Sequence, residues 1–185
     1  MIKKKLIIPT SLSELGKLKA GDFLLISGTL FTARDETHQK MKELKEKGLN
    51  IPVDLKNQIL YYVGPAPSRP GQVINSAGPT SARRMDSYTD LVLDLGVIGM
   101  IGKGERSEET REKMKGKAVY MAAFGGVAAK LARCIKSQEI VAFPELGMGA
   151  IRKLELVDFP VIVINDLEAD DYYEETRSQF PNSSE

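Results

Sequence analysis

The chain has 185 residues, of which 42% are hydrophobic and 28% charged, a composition that excludes disorder and allows one domain burying roughly 70% of its unfolded surface. Lys plus Arg (26) nearly cancels Asp plus Glu (25), so no molecule-wide field exists to attract nucleic acid or an anionic membrane. One Cys and one His fall short of the three or four ligands that a structural zinc or iron–sulfur centre takes, so no metal is expected on this chain's own side chains. No apolar run approaches the roughly 20 residues that span a bilayer, and the hydrophobic part of MIKKKLIIPT is too short for a signal sequence. A cytoplasmic protein is expected.

Lys3, Lys4 and Lys5 read as a solvated edge before a strand over Leu6–Ile8. Ser11-x-x-Glu14 has capping-box spacing and opens a short helix through Leu18; Phe23–Ser27 reads as a buried strand after the Gly21-Asp22 turn. From Asp35 to Gly48 the period is helical, with His38, Met41 and Leu44 on one face. Ile59–Val63 is a second strand, closed by Gly64–Gly71, whose three prolines and two glycines stop regular structure.

Thr80–Leu95 reads as helix, Val97–Ile101 as strand, and Ser107–Lys115 as a polar helix ended by Gly116. Strand Ala118–Phe124 runs into Gly125-Gly126 and a small-residue helix carrying Cys134, whose thiol is read as buried and structural. Ile140–Phe143, Ile151–Val157 and Val161–Ile164 look like further strands. This alternation, with near-continuous apolar strands, predicts an α/β domain over residues 1–173 with a central parallel or mixed sheet flanked by helices. The polar tail, residues 174–185, is expected to fray.

Three segments share a design in which a strand or glycine turn delivers small residues and then a cation. They run from Ser27 to Asp35, ending in Thr-Ala-Arg34-Asp35; from Asn75 to Asp86, through Gly78-Pro79-Thr80; and from Gly99 to Arg106, through Lys103. Ligands of α/β sheets bind beyond the carboxyl ends of strands, where helix N-termini offer N–H groups to anions. Gly78-Pro79-Thr80 reads as such a helix start, and Arg34, Arg84 and Lys103 as an anion pocket; solvated surface cations are the alternative. Lys103-Gly104 is followed by Glu105, so it is no Walker loop. Gly147-Met148-Gly149-Ala150 lacks the third glycine of a dinucleotide turn. His38, with an ordinary pKa of about 6.5, suits acid–base work, but its apolar face favours a packed histidine. One histidine with no nucleophile nearby gives no triad.

In order and separation, the run Gly28–Asp35 with His38, the run Ala77–Ser87, and Lys103-Gly-x-Arg106 resemble the C-terminal domain, or separate β subunit, of class I fumarate hydratases and the similar tartrate dehydratases. The resemblance extends from about Leu18 to Asp166. It implies a single swivelling β/α layered domain that closes over a [4Fe–4S] cluster held by three cysteines of a partner α subunit or N-terminal domain. In such enzymes the open iron is a Lewis acid toward the substrate hydroxyl.

The same resemblance makes Arg34 and Arg84 carboxylate clamps, places Gly78 at the substrate, and gives Thr80 and Lys103 the catalytic roles, with Asp35, His38 and Ser81 in support. Thr80 is either a proton-transferring group or a substrate positioner. Ser81 and Arg83 depart from the family's usual Gly-Pro-Thr-Thr-Ala-Gly-Arg, and Val127 stands where Gly-Gly-Pro is common. The expected function is the β subunit of a heteromeric hydro-lyase hydrating fumarate to malate, with tartrate dehydration as the close alternative. A non-catalytic dicarboxylate-binding or assembly module is the reading from another class. Expected partners are the α subunit, a small dicarboxylate and further subunits, with neither nucleic acid nor membrane.

Overall fold

The computed structural model describes residues 3–66 and 70–179. Its strands are β1 (Lys3–Ile8), β2 (Phe23–Thr32), β3 (Ile59–Tyr61), β4 (Gly99–Gly102), β5 (Val119–Ala123), β6 (Ile135–Ala142) and β7 (Ile151–Asn165). They form one mixed sheet in the order β1-β2-β3-β4-β5-β7-β6. β1 to β5 run parallel to their neighbours, whereas β7 is antiparallel to β2, β5 and β6. Because β7 pairs with both β5 and β2, the pairings β2-β3-β4-β5-β7 return to their start. Such closure removes open edges from the five central strands.

The helices are α1 (Leu12–Leu15), α2 (Asp35–Glu46), α3 (Thr89–Asp94), α4 (Glu108–Met114), α5 (Ala128–Cys134) and α6 (Tyr172–Gln179). Alternate strand residues enter two cores: Ile59, Tyr61, Val63, Ile101 and Met121 pack in one, and Leu60, Tyr62, Met100 and Tyr120 in the other. Both faces of the central strands are therefore apolar, which is why these strands read as unbroken hydrophobic runs. The three lysines of β1 are exposed, with β2 its one partner strand among the described residues.

Several boundaries differ from the expectations. β2 continues five residues beyond Ser27 to Thr32, passing Gly28 at φ 110°, where a β-carbon would overlap the carbonyl of Ile8. The two strands expected at Ile151–Val157 and Val161–Ile164 are one, β7; Asp158, at φ 51°, sits where the β2–β7 register shifts between Ile26 and Gly28. A bulge absorbs the polar interruption and keeps the ladder continuous on either side. β6 begins at Ile135, directly after α5, rather than at Ile140.

The helix expected from Thr80 to Leu95 is instead an extended Thr80-Ser81, a tight 3-10 stretch over Ala82–Tyr88, and then α3. Tertiary hydrogen bonds outweigh helical propensity there, because Thr80 N–H donates to the Tyr62 carbonyl (2.7 Å) and the Thr80 carbonyl accepts from Lys103 N–H (3.1 Å). Glu174–Gln179, expected to fray, continues the helix α6; Arg111 of α4 holds its start through Asp171 (3.2 Å) and Glu174 (2.7 Å). Residues 180–185 of the expected tail, and 67–69 of the Gly64–Gly71 loop, lie outside the described residues. Among the described residues, no helix is long and apolar enough to cross a membrane.

Candidate functional site at the carboxyl edge of the parallel strands

β2, β3, β4 and β5 run parallel and end at one edge of the sheet. Arg34 follows β2 there and opens α2 in an extended conformation (φ −139°, ψ −167°). Its N–H donates to Thr37 Oγ1 (3.0 Å), and its carbonyl accepts from both His38 N–H (2.9 Å) and His38 Nδ1 (2.7 Å). Thr37 is fixed in turn, donating to the Gly149 carbonyl at 2.6 Å. The Arg34 guanidinium lies over Gly64, at the end of the β3 segment, where a β-carbon would collide with it.

Arg84 reaches the same edge from the 3-10 stretch, with Nη2 3.0 Å from Asp35 Oδ2. Arg34 Nε is 2.9 Å from Glu36 Oε2. Neither contact is aligned as a hydrogen bond, so these carboxylates screen the guanidiniums without saturating their donors. Arg83 turns elsewhere, 3.8 Å from Glu105. Of the adjacent pair, Arg84 is thus the arginine next to Asp35.

Thr80 and Lys103 are brought together by backbone pairing. Ser81 and Lys103 form a parallel bridge, and Ala82 N–H donates to the Lys103 carbonyl (2.9 Å). Gly102 eases this close approach, because a β-carbon there would sit 3.1 Å from both Ala82 Cβ and Tyr62 Cδ2 and push them back by a few tenths of an ångström. Ser81 is half-buried and Lys103 exposed; among the described residues neither the Lys103 ammonium nor the Thr80 hydroxyl has a hydrogen-bond or ion-pair partner. Gly78 packs at the start of α5, where a β-carbon would lie 3.1 Å from Ala128 Cβ. That contact makes it a close-packing point, while the helix start expected at Thr80 is replaced by the sheet-edge insertion.

His38 does not reach the edge. It is fully buried, stacked on Tyr88 and edge-on to Tyr62. Burial lowers its pKa to about 4, opposed by the bond to the Arg34 carbonyl. The ring is therefore neutral near pH 7 and its Nδ1–H donates to Arg34. Cys134 is half-buried, its Sγ 3.7 Å from the Asp158 carbonyl, and burial pushes its thiol pKa up. Among the described residues no three His, Cys, Asp or Glu side chains gather as a metal-holding group. This donor set does not fit an iron–sulfur cluster.

Arg106, which closes the Lys103-Gly-x-Arg106 motif but carried no expected role of its own, lies beneath the edge. It is 3% exposed and bonds Asp86 through Nε at 2.6 Å. A buried charge of this kind is tolerated only when paired.

The family model described as Fumarase C-terminus matches residues 3–176. The class I anaerobic fumarate hydratase of Escherichia coli K12 is 40% identical over 167 residues, covering 89% of this chain and 30% of that protein. Fumarate hydratase 2 of Leishmania major is 39% identical over 166 residues, covering 88% of this chain and 29% of that protein. The protein named "Putative L(+)-tartrate dehydratase subunit beta" of Methanocaldococcus jannaschii is 35% identical over 173 residues, covering 90% of this chain and 89% of that protein. The chain thus spans about a third of the two fumarate hydratases but nearly all of the archaeal subunit.

Proposed function

Since the chain belongs to the fumarase C-terminal family, we propose that it is the β subunit of a cytoplasmic two-subunit hydro-lyase that adds water to fumarate to form malate, and reverses that step. The observation that carries this reading is the single edge holding two guanidiniums, an ammonium and a hydroxyl that has no partner among the described residues. A four-carbon dicarboxylate carries two planar carboxylates, and the forks of Arg34 and Arg84 match one each. Once shielded from water, each such charge-assisted bond contributes about 1.5 to 3 kcal/mol.

Dehydration requires that a proton leave C3 of malate. In this reading the Thr80 hydroxyl gives its proton to water beside Lys103, whose ammonium lowers the cost of the negative oxygen; that oxygen takes the C3 proton, the C2–O bond breaks, and the departing hydroxide recombines with the released proton as water. The [4Fe–4S] cluster characteristic of class I enzymes belongs in this reading to a partner α subunit, because the donor set described above cannot hold it. Closure of the β subunit over that partner would shield the edge from solvent. The near-complete match to the archaeal subunit favours tartrate dehydration as a second reading at the same edge, with Arg34 and Arg84 in the same roles.

Anaerobic co-purification with a cysteine-bearing partner, followed by absorbance assays with malate and with tartrate, tests the proposal. Turnover of either substrate is expected. A cluster-loaded complex inert toward both would leave only a carboxylate-binding or assembly module. Within an active complex, Thr80→Val is expected to lower kcat by about a hundredfold or more, the scale of a lost proton-transfer group. A change confined to KM would reassign Thr80 to positioning.

A further inference from the structure

Below the edge lies a stack that supports it, buried except for the half-buried Tyr88. Tyr88 stacks on His38 (centroids 5.3 Å apart), His38 meets Tyr62 edge-on (5.5 Å), and the Arg106 guanidinium lies between the rings of Tyr62 (5.7 Å) and Tyr120 (5.4 Å). Arg106 spends its donors on different segments: Nε to Asp86 Oδ1 (2.6 Å), Nη2 to Thr89 Oγ1 (2.9 Å) and Nη1 to Tyr62 OH (3.3 Å). The second oxygen of Asp86 accepts Ser107 N–H (2.9 Å), and Tyr120 OH donates to the Gly104 carbonyl (2.8 Å).

The four groups of the edge, Arg84 and Lys103 exposed and Arg34 and Thr80 half-buried, are all anchored in this stack. Arg84 is two residues before Asp86. Lys103 precedes Gly104, Thr80 N–H bonds the Tyr62 carbonyl, and the Arg34 carbonyl takes the Nδ1–H of His38. Of the members, Arg106 alone bonds both the Arg84 segment, through Asp86 and Thr89, and the β3 end beneath Thr80, through Tyr62, while belonging to the Lys103 loop itself.

We propose that Arg106 is a positioning residue of the reaction: its buried guanidinium locks the Arg84 segment to the Lys103 loop, so that both cations meet the dicarboxylate at a fixed separation. A planar fork with five donors can satisfy three partners in three directions while stacked between two rings; an ammonium cannot. The kinetic arm of the test rests on the hydro-lyase reading, whereas the exchange arm does not.

Arg106→Lys keeps a charge opposite Asp86 and loses the fork. In the full chain on its own, hydrogen exchange followed by mass spectrometry is expected to accelerate at least about tenfold at residues 80–88 and 103–107, and to remain unchanged along β2 and β7. Tyr120→Phe should accelerate 103–107 alone. Should Arg106→Lys fail to fold, the near-isosteric Thr89→Val replaces it, with acceleration confined to 80–88. In the kinetic arm, KM for the dicarboxylate is expected to rise at least about fivefold in Arg106→Lys, and this effect to shrink below about twofold in an Arg84→Ala, Lys103→Ala background, because residues acting through one another are not additive.

Uniform acceleration across the sheet, no acceleration at the two segments, or a full multiplicative effect in the double-alanine background overturns the proposal. An inactive wild-type complex sinks the hydro-lyase reading and leaves the exchange result to decide the role of Arg106.

Discussion

Arg34 leaves a backbone gripped by Thr37, His38 and, through Thr37, the Gly149 carbonyl, so in the proposed role little backbone freedom would be lost on binding a carboxylate. Arg34→Ala and Arg84→Ala are each expected to lower kcat/KM of the complex at least about tenfold, equivalent to about 1.4 kcal/mol, with the melting temperature unchanged. Wild-type kinetics in either variant would remove that arginine from the site. His38 titrates through the same grip. Its folded pKa is about 4 against about 6.5 when unfolded, so the unfolded chain binds the proton first and stability falls as pH drops from 6.5 toward 4. By pH 5 this group alone costs about 2 kcal/mol. Urea unfolding at pH 7 and pH 5 should show a smaller loss in His38→Gln than in the wild type; equal losses would refute the assignment.

At the level of elements, the β2–β7 pairing ties the sheet together. Gly28 lies where β1 passes against β2 opposite the β7 bulge, and its φ of 110° leaves no room for a β-carbon against Ile8. Gly28→Ala is expected to cost at least about 2 kcal/mol and to lower the melting temperature by about 4 to 8 °C, readable by circular dichroism; an unshifted melt would mean that β1 can move aside. Strand identities were legible in the chain because two-sided burial makes Ile59–Val63 and Val97–Ile101 continuously apolar. The course of Thr80-Ser81 was not, since a helical pattern over Thr80–Leu95 carries no mark of the bonds to Tyr62 and Lys103 that extend it. The union of two expected strands into β7 was hidden for a similar reason: Asp158 reads as a break, and only pairing with β2 turns it into a bulge.

For the molecule as a whole, exposure governs how strongly the edge can bind. Arg84 is 57% exposed along its side chain and Lys103 lies in solvent, where water and salt screen charge. Succinate, which offers the carboxylates without the reacting groups, is expected to bind the isolated chain with a Kd above about 1 mM, and at least about tenfold more tightly in the complex once water is excluded. Calorimetry of both forms checks this, and equal affinities would show that the partner does not close the edge.

The sequence alone determined the alternating architecture, the shortage of metal ligands and the identity of Arg34, Thr80, Arg84 and Lys103 as candidates, because hydrophobic period, donor inventory and local motifs are properties of neighbouring residues. Tertiary structure decided that Arg84 rather than Arg83 stands beside Asp35, that Thr80 pairs with Lys103 as sheet rather than opening a helix, and that His38 and Arg106 lie beneath the edge instead of on it. These depend on which distant segments share an edge and how much water remains around them, and closure of the strands through β7 sets both.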